Sequence, residues 1–384
     1  MEKIVDRKAK IVIVGAGPAG STLAIRLAKQ GFETTLIERE IFPRHKLCGE
    51  FISPECLRHF RELGVIDEML GVGGDMVYET RFFERGGRNV VVPSSWFGGG
   101  EFALSLSRSE MDHRLLECAR RVGATIIEGA TVSGLRSKGD LITGIVAKRA
   151  NGDRVETTGD IFVDATGRSG SLDRLAHRDH TSTRAPFIGF KAHIEKAGLT
   201  PGVCEIYSFP GGYAGLSHVE HGLANLCFLL KSEFVRGFSN DADEIVRAVV
   251  CKNRRAKETL RGHTAAGSWM AVAVNGFGRK GLNPVSNVFA VGDAAAFIDP
   301  FTGSGMLMAM ESSEILAAAI ESGYTVPDIA RAYSLGYRRK FSSRLRVCSA
   351  LRRTAFMPGL ASFVVRSLNL SEGARRTLAR ATRA

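Results

Sequence analysis

KIVIVGAGPAGSTLAIRLAKQGFETTLIE, residues 10–38, is the stretch from which the rest of the chain is read. KIVIV (10–14) is a short, largely apolar run of the kind that forms a buried strand. A glycine turn follows. Beyond Pro18, the residues Ala19, Leu23 and Leu27, with Ala24 and Ala28, recur at helical spacing. Gly31 is a stop signal, and TTLIE (34–38) is a second strand. Strand, turn, helix and strand together open a Rossmann-like parallel sheet.

Gly15-Ala16-Gly17-Pro18-Ala19-Gly20 fits G-x-G-x-x-G between the strand and the helix. Gly15 permits the tight turn, Gly17 lets the backbone approach a pyrophosphate, and Gly20 lets the helix pack on the strand. The helix start offers unpaired N–H groups and a positive dipole end to phosphates. Glu38, 18 residues past Gly20 and followed by Arg39, ends the second strand where a carboxylate accepts from ribose hydroxyls. NAD and FAD both suit this half.

A second stretch separates them. GDAAAFIDPFTGSGM (Gly292–Met306) follows the apolar run NVFAV. Asp293, after Gly292, ends a strand at the edge where ligands of open α/β sheets sit, and it can bond a ribityl hydroxyl that NAD lacks. Pro300, Gly303, Gly305 and the helix opening at Met306 suit the pyrimidine side of an isoalloxazine, whose reduced form carries negative charge. A strand end plus a helix cap is the plainer account. One long ligand held at both ends explains the two turns better, which gives FAD. No attachment motif is present, so the expected cofactor is non-covalent.

Outward from these motifs, three blocks carry Rossmann-like elements: 1–70, 101–176 and 281–325. They are expected to form a discontinuous FAD-binding domain. Strand-rich segments 71–100 and 177–280 are assigned to a substrate domain, and 326–384 to a basic helical C-terminal region. The predicted fold class is α/β, a Rossmann-like domain interrupted by a β-rich one. Residues 53–70 read as helical with Ser53 as N-cap, 75–93 as a hairpin and 131–158 as a meander. Ser109 is expected to cap the helix that follows it, and 241–260 to contain one helix.

Apolar residues make up 44% and charged residues 24% of the 384, as in ordinary globular chains. No window reaches about 18 consecutive apolar residues, so no spanning helix is expected. The 7 cysteines are odd in number and form no CxxC, which fits free thiols in the cytoplasm and no metal site. Residues 331–384 hold 13 of the 52 Lys/Arg and one of the 40 acids, so the net charge of +12 belongs to the tail and the body is neutral. A nucleic-acid groove would put basic residues on the body, and none is expected. In the tail, Phe356, Met357, Leu360, Phe363 and Val364 can share a face among arginines. That face suits the anionic inner surface of a membrane, and equally a helix packed on the domain.

Taken together, these residues resemble the FAD-dependent oxidoreductases of the para-hydroxybenzoate hydroxylase type, and most closely their geranylgeranyl reductase branch. The resemblance runs over residues 8–325. Besides the two glycine turns it includes FPRHKLCGEFISP (42–54), SRSEMDHRLLECA (107–119), VDATGRSG (163–170) and PGGYAGLSHVEHGLANLCF (210–228). It implies that Arg108 reaches the phosphate–ribityl region, that Val132 lies at the adenine, that Cys48 and Gly49 border the isoalloxazine, and that Asp164 belongs to the cofactor set. Cys48, Tyr213 and His218 are the candidate catalytic residues. Two departures stand out: Asp164-Ala165 replaces the hydroxylases' Asp-Gly, and Gly215 stands where reductases carry an aromatic.

The expected reaction is reduction of a carbon–carbon double bond in a large apolar, prenyl- or polyketide-like substrate, by hydride from flavin N5. The alternative is aromatic hydroxylation through a flavin C4a-hydroperoxide. A non-catalytic flavin-binding module is a third reading. The halogenase branch shares DATGR and Phe297-Ile298-Asp299-Pro300, but this chain has no lysine between Lys46 and Lys138 and no WxWxIP segment, which argues against halogenation. With one G-x-G-x-x-G, the reductant is expected to dock transiently, as NAD(P)H or a protein donor.

Overall fold

The computed structural model describes residues 8–177, 185–238, 241–323, 325–355, 365, 367–369 and 371–383. Five parallel strands form one sheet in the order Val288–Ala290, Ile161–Asp164, Lys10–Val14, Glu33–Ile37, Thr125–Ile127. Its register pairs Val14 with Ile37 and Asp164, and Asp164 with Ala290. The carboxyl ends of four strands therefore meet at one edge, where both glycine turns begin.

Alternation along the first strand explains why it is apolar throughout. Ile11 and Ile13 pack with Leu23, Leu27, Leu115 and Met310, from helices Pro18–Lys29, Arg108–Arg121 and Gly305–Ser322. Val12 and Val14 face the other way, against Ile142 and Ile145 of the antiparallel meander Ala130–Lys138, Leu141–Arg149, Arg154–Thr158.

An eight-stranded sheet takes strands from two separated parts of the chain: Glu79–Phe83 and Asn89–Pro93 from one, and six between Phe187 and Val274 from the other. The join is a parallel pairing of Glu79–Phe83 with Val203–Phe209. One face packs on a core containing Phe190, Tyr207, Leu226, Ile245 and Val249. From the other, Phe82, Ile206, Tyr213 and Gly215 line a cavity.

Three local readings are corrected. Residues 53–70 hold two helices, Pro54–Leu63 and Ile66–Leu70, because Gly64 turns left-handed with φ 81°. Ser107, not Ser109, caps helix Arg108–Arg121: its hydroxyl accepts from the Glu110 N–H, which puts Arg108 at the first helical position. Residues 241–260 also hold two helices, Ala242–Ala248 and Arg254–Thr259, the second capped by Asn253.

The two described helices of the tail each pack one face on the body. Helix Val326–Ala355 buries Tyr333, Tyr337, Phe341 and Cys348, and the Tyr333 hydroxyl donates to the Ala290 carbonyl (2.7 Å). Arg338, Arg339 and Arg346 face outward. Helix Glu372–Ala381 lies beside Asn89–Pro93, burying Ala379 with Val90 and Val92. The apolar set from Phe356 to Val364 lies outside the described residues. Among those described, no helix is long and apolar enough to cross a membrane.

Candidate active site

A cavity of about 990 Å³ runs from the carboxyl edge of the parallel sheet to the eight-stranded sheet. Gly15, Gly17, Pro18, Ala19, Glu38, Arg39, Arg108 and Val132 line it, as do Cys48, Gly49, Gly292, Asp293, Pro300, Gly303, Gly305 and Met306. These positions are spread over nearly 300 residues of sequence, and the strand register brings them to one space.

The three glycines of the first turn answer three different needs. Gly15 has φ 103°, and a Cβ there would stand 2.5 Å from the Ala165 carbonyl oxygen. A Cβ on Gly20 would stand 1.8 Å from the Gly15 carbonyl oxygen, so the helix packs on the turn only without a side chain. Gly17 opens onto space, its nearest neighbour being Arg108 Nη2 at 3.8 Å. Gly17 is also the N-cap of helix Pro18–Lys29 and supplies no side-chain cap, so the first-turn amides keep room for an external acceptor. Ala16 and Gly20 support the turn from behind rather than lining the cavity. The Ala16 N–H donates to Glu38 Oε2 (2.7 Å), while Glu38 Oε1 accepts from the Glu40 N–H (3.0 Å).

The second turn is tied to the first through buried serines of helix Gly305–Ser322. Ser313 Oγ donates to the Ala19 carbonyl (2.7 Å), and Ser312 Oγ accepts from the Gly292 N–H (2.9 Å). Asp293 makes no side-chain hydrogen bond to a described residue. Burial pushes its carboxyl up, against the pull of Arg168, Arg108, Lys280 and Lys46. A half-buried acceptor on the cavity wall and an open glycine cradle fit the two ends of FAD.

Asp164 is a correction. It is fully buried outside the lining, and its carboxylate accepts from Thr166 N (3.0 Å), Thr166 Oγ1 (2.6 Å), Leu172 N (2.9 Å) and Asp173 N (3.3 Å). With those contacts it shapes the turn through Ala165–Ser169, whose residues do reach the cavity. His218 is a second correction: its ring contacts the Leu199 carbonyl (3.0 Å) and does not line the cavity. Tyr213 does line it, with its hydroxyl donating to Asp299 Oδ1 (2.6 Å).

Basic residues concentrate near the first turn. Asp112, fully buried, holds Arg108 through two bonds (2.8 and 2.7 Å) and Arg44 through one (2.9 Å). Lys46 lines the cavity, and burial, then Arg44, Arg108, Arg39 and Arg168, push its ammonium down to about 8. Near pH 9 Lys46 is therefore largely neutral in the free protein. A diphosphate placed beside it would restore the ammonium, so binding takes up a proton. FAD affinity is expected to fall as pH rises from about 8 to 10, by at most about tenfold per unit. Calorimetry in two buffers of different ionisation enthalpy measures the uptake, which Lys46→Met should abolish. Equal heats in both buffers would separate Lys46 from the anion.

The 42–54 stretch holds a cluster the sequence reading passed over. Cys48 Sγ accepts from the Glu50 N–H (3.4 Å), and the Cys48 carbonyl accepts from Asn225 Nδ2 (3.1 Å). Glu50 is fully buried and left-handed (φ 55°). Its Oε1 accepts from Lys191 Nζ and from the Arg108 N–H (2.9 Å), and its Oε2 contacts His193 Nε2 (2.7 Å). An acid two residues from Cys48 was visible in the sequence. Its partners Lys191 and His193, over 140 residues away, were not.

Comparison with known proteins gives the family. The chain belongs to the FAD binding domain family, whose model matches residues 8–334, and FAD is its cofactor. It is similar to the digeranylgeranylglycerophospholipid reductase of Methanosarcina acetivorans (28% identity, 83% of this chain and 76% of the relative). It is similar to the menaquinone reductase of Mycobacterium tuberculosis (27%, 97% and 91%) and to the tryptophan 2-halogenase of Chondromyces crocatus (26%, 82% and 61%). The chain thus spans 61% of the halogenase's length, and 64% of a further relative's. Among solved structures, a geranylgeranyl bacteriochlorophyll reductase-like protein from Thermoplasma acidophilum superposes with a TM-score of 0.78 (20% identity, 97% and 95% covered), sharing the fold.

Proposed function

We propose that this protein reduces a carbon–carbon double bond in a large apolar, prenyl- or polyketide-like substrate. The observation that carries the proposal is the apolar arm of the cavity: Phe82, Ile206, Tyr213, Phe297 and Phe301 surround space floored by Gly215. A Cβ on Gly215 would already stand 3.3 Å from Ile206 Cδ1, so an aromatic there would close the arm. The two similar reductases support the reading, since their names point to isoprenoid lipids and a quinone.

Bound FAD supplies hydride transfer. The chain's own residues hold the cofactor at the glycine turns, exclude water through the aromatic arm, and set Cys48 at the cavity wall. The reductant, NAD(P)H or a protein donor, docks transiently. A substrate of this class resides in bilayers, and outward arginines such as Arg338, Arg339 and Arg346 would assist contact with an anionic surface.

The test is anaerobic photoreduction of the FAD-loaded protein, followed by mixing with an isoprenoid alkene or a menaquinone. Reoxidation by the alkene with a saturated product supports the proposal. Reoxidation only with O₂ and a phenol, or with O₂ and bromide, would replace it with hydroxylation or halogenation.

A further inference from the structure

Arg383 enters the same cavity from a part of the chain that carries no cofactor motif. Its side chain is 5% exposed. Nη1 donates to Ser304 Oγ (2.5 Å), and the guanidinium lies 4.4 Å from the centroid of Phe97, which also lines the cavity. Nη2 is buried with no hydrogen-bond partner, beside Gly303. Nε stands 3.5 Å from Glu55 Oε1 without a hydrogen bond. The backbone around it is pinned: Arg344 donates to the Arg383 carbonyl, and Ser304 Oγ to that of Thr382 (3.2 Å).

Two features mark this as a place for a ligand. A buried N–H left without an acceptor loses its hydration with nothing in exchange, so its persistence asks for a group that fills it. The local charge also fails to balance. Arg344 and Lys340 share Glu311, and Arg383 has only the poorly aligned Glu55. Among the described residues three cations face two carboxylates, and of the two buried arginines Arg383 is the one whose carboxylate is poorly aligned. A planar guanidinium suits an acceptor with two oxygens on one atom.

We propose that Arg383, with Ser304 beneath it and Phe97 against its face, is a subsite for the anionic oxygen head group, carboxylate or phosphate, of an otherwise apolar substrate. This rests on the reading that the apolar arm takes the substrate, and it narrows that substrate to an amphiphile with one acidic end. Arg383 is then a specificity-determining residue.

The experiment titrates the FAD-loaded full chain with laurate, dodecyl phosphate and dodecanol, by calorimetry and by perturbation of the flavin spectrum. The wild type should bind at least one anion about tenfold more tightly than the alcohol, and the two anions distinguish carboxylate from phosphate. Arg383→Gln should bring acid and alcohol within about twofold while FAD affinity stays within about twofold. Glu55→Gln, which removes the competing carboxylate and leaves Arg383 in place, should tighten the anion several-fold. The proposal is overturned if the wild type binds no probe or shows no anion preference, if Arg383→Gln keeps that preference, or if it sheds FAD instead. An anion preference in a protein that reduces no alkene leaves the subsite standing and removes only the proposed reaction.

Discussion

Gly17→Val is expected to give a stable protein that has lost FAD, and Gly20→Val a strongly destabilised one. The two glycines are three residues apart in one turn, yet their surroundings differ in kind. At Gly17 an added Cβ meets nothing closer than Arg108 Nη2 at 3.8 Å, so the apoprotein tolerates the valine. The methyl groups then occupy the space beside the first-turn amides. Losing two charge-assisted bonds to a phosphate there, at about 1.5–3 kcal/mol each, corresponds to roughly 10²–10⁴-fold in FAD affinity. At Gly20 the Cβ would stand 1.8 Å from the Gly15 carbonyl oxygen, a backbone atom that no rotamer can move aside. Helix and turn must separate, at a cost of about 3 kcal/mol or more. Urea unfolding of the apoproteins, beside FAD fluorescence titrations, distinguishes the two. Wild-type FAD affinity in Gly17→Val would mean that the cofactor does not pass this turn.

What the sequence conveyed depended on whether a residue's partner was near it along the chain. Turn geometry, strand period and helix starts are local, so residues 10–38 and 292–306 could be read directly. The parallel sheet followed from them. Ser107 outcompeted Ser109 as a cap by one two-residue shift, a difference that composition alone does not resolve. The family resemblance put Asp164 in the cofactor set. Only the structure shows all four of its acceptor contacts turned inward, to Thr166, Leu172 and Asp173. The tail was legible as charge but not as packing: Arg344 is 1% exposed because Glu311, 33 residues away, accepts from it. Glu50 and Arg383 are the extreme cases, since nothing beside either of them in sequence announces its buried partners.

Glu50→Gln is expected to destabilise the protein by about 3–5 kcal/mol at pH 7, with little change in shape. Lys191 is 3% exposed at its side chain and Glu50 is fully buried, so the pair has no water to fall back on. A neutral amide leaves the lysine charge buried without its counter-charge, and that, rather than a lost contact, sets the size of the effect. The pH dependence follows from the carboxyl. Burial works to raise its pKa, but the His193 hydrogen bond and the Lys191 charge outweigh burial and hold it below the ordinary carboxylate value of 4.5. A depressed carboxylate contributes its stability above the unfolded-state value, and loses it as pH falls through the folded-state value. The gap between wild type and variant should therefore be full at pH 7 and should shrink below about pH 4.5. Lys191→Met alone leaves the buried carboxylate with His193 and the Arg108 N–H but without its lysine charge, whereas the double variant Glu50→Gln/Lys191→Met should recover a large part of either loss, a coupling that urea unfolding resolves. A single-variant loss under about 1 kcal/mol, unchanged between pH 7 and 4, would show that water reaches the pair. Because the Glu50 N–H donates to Cys48 Sγ and the Glu50 carboxylate accepts from the Arg108 N–H, the same charge pair also fixes the cavity wall. A structural loss at Glu50 should thus be accompanied by a changed flavin spectrum in the FAD-loaded protein, even under conditions where the variant remains fully folded.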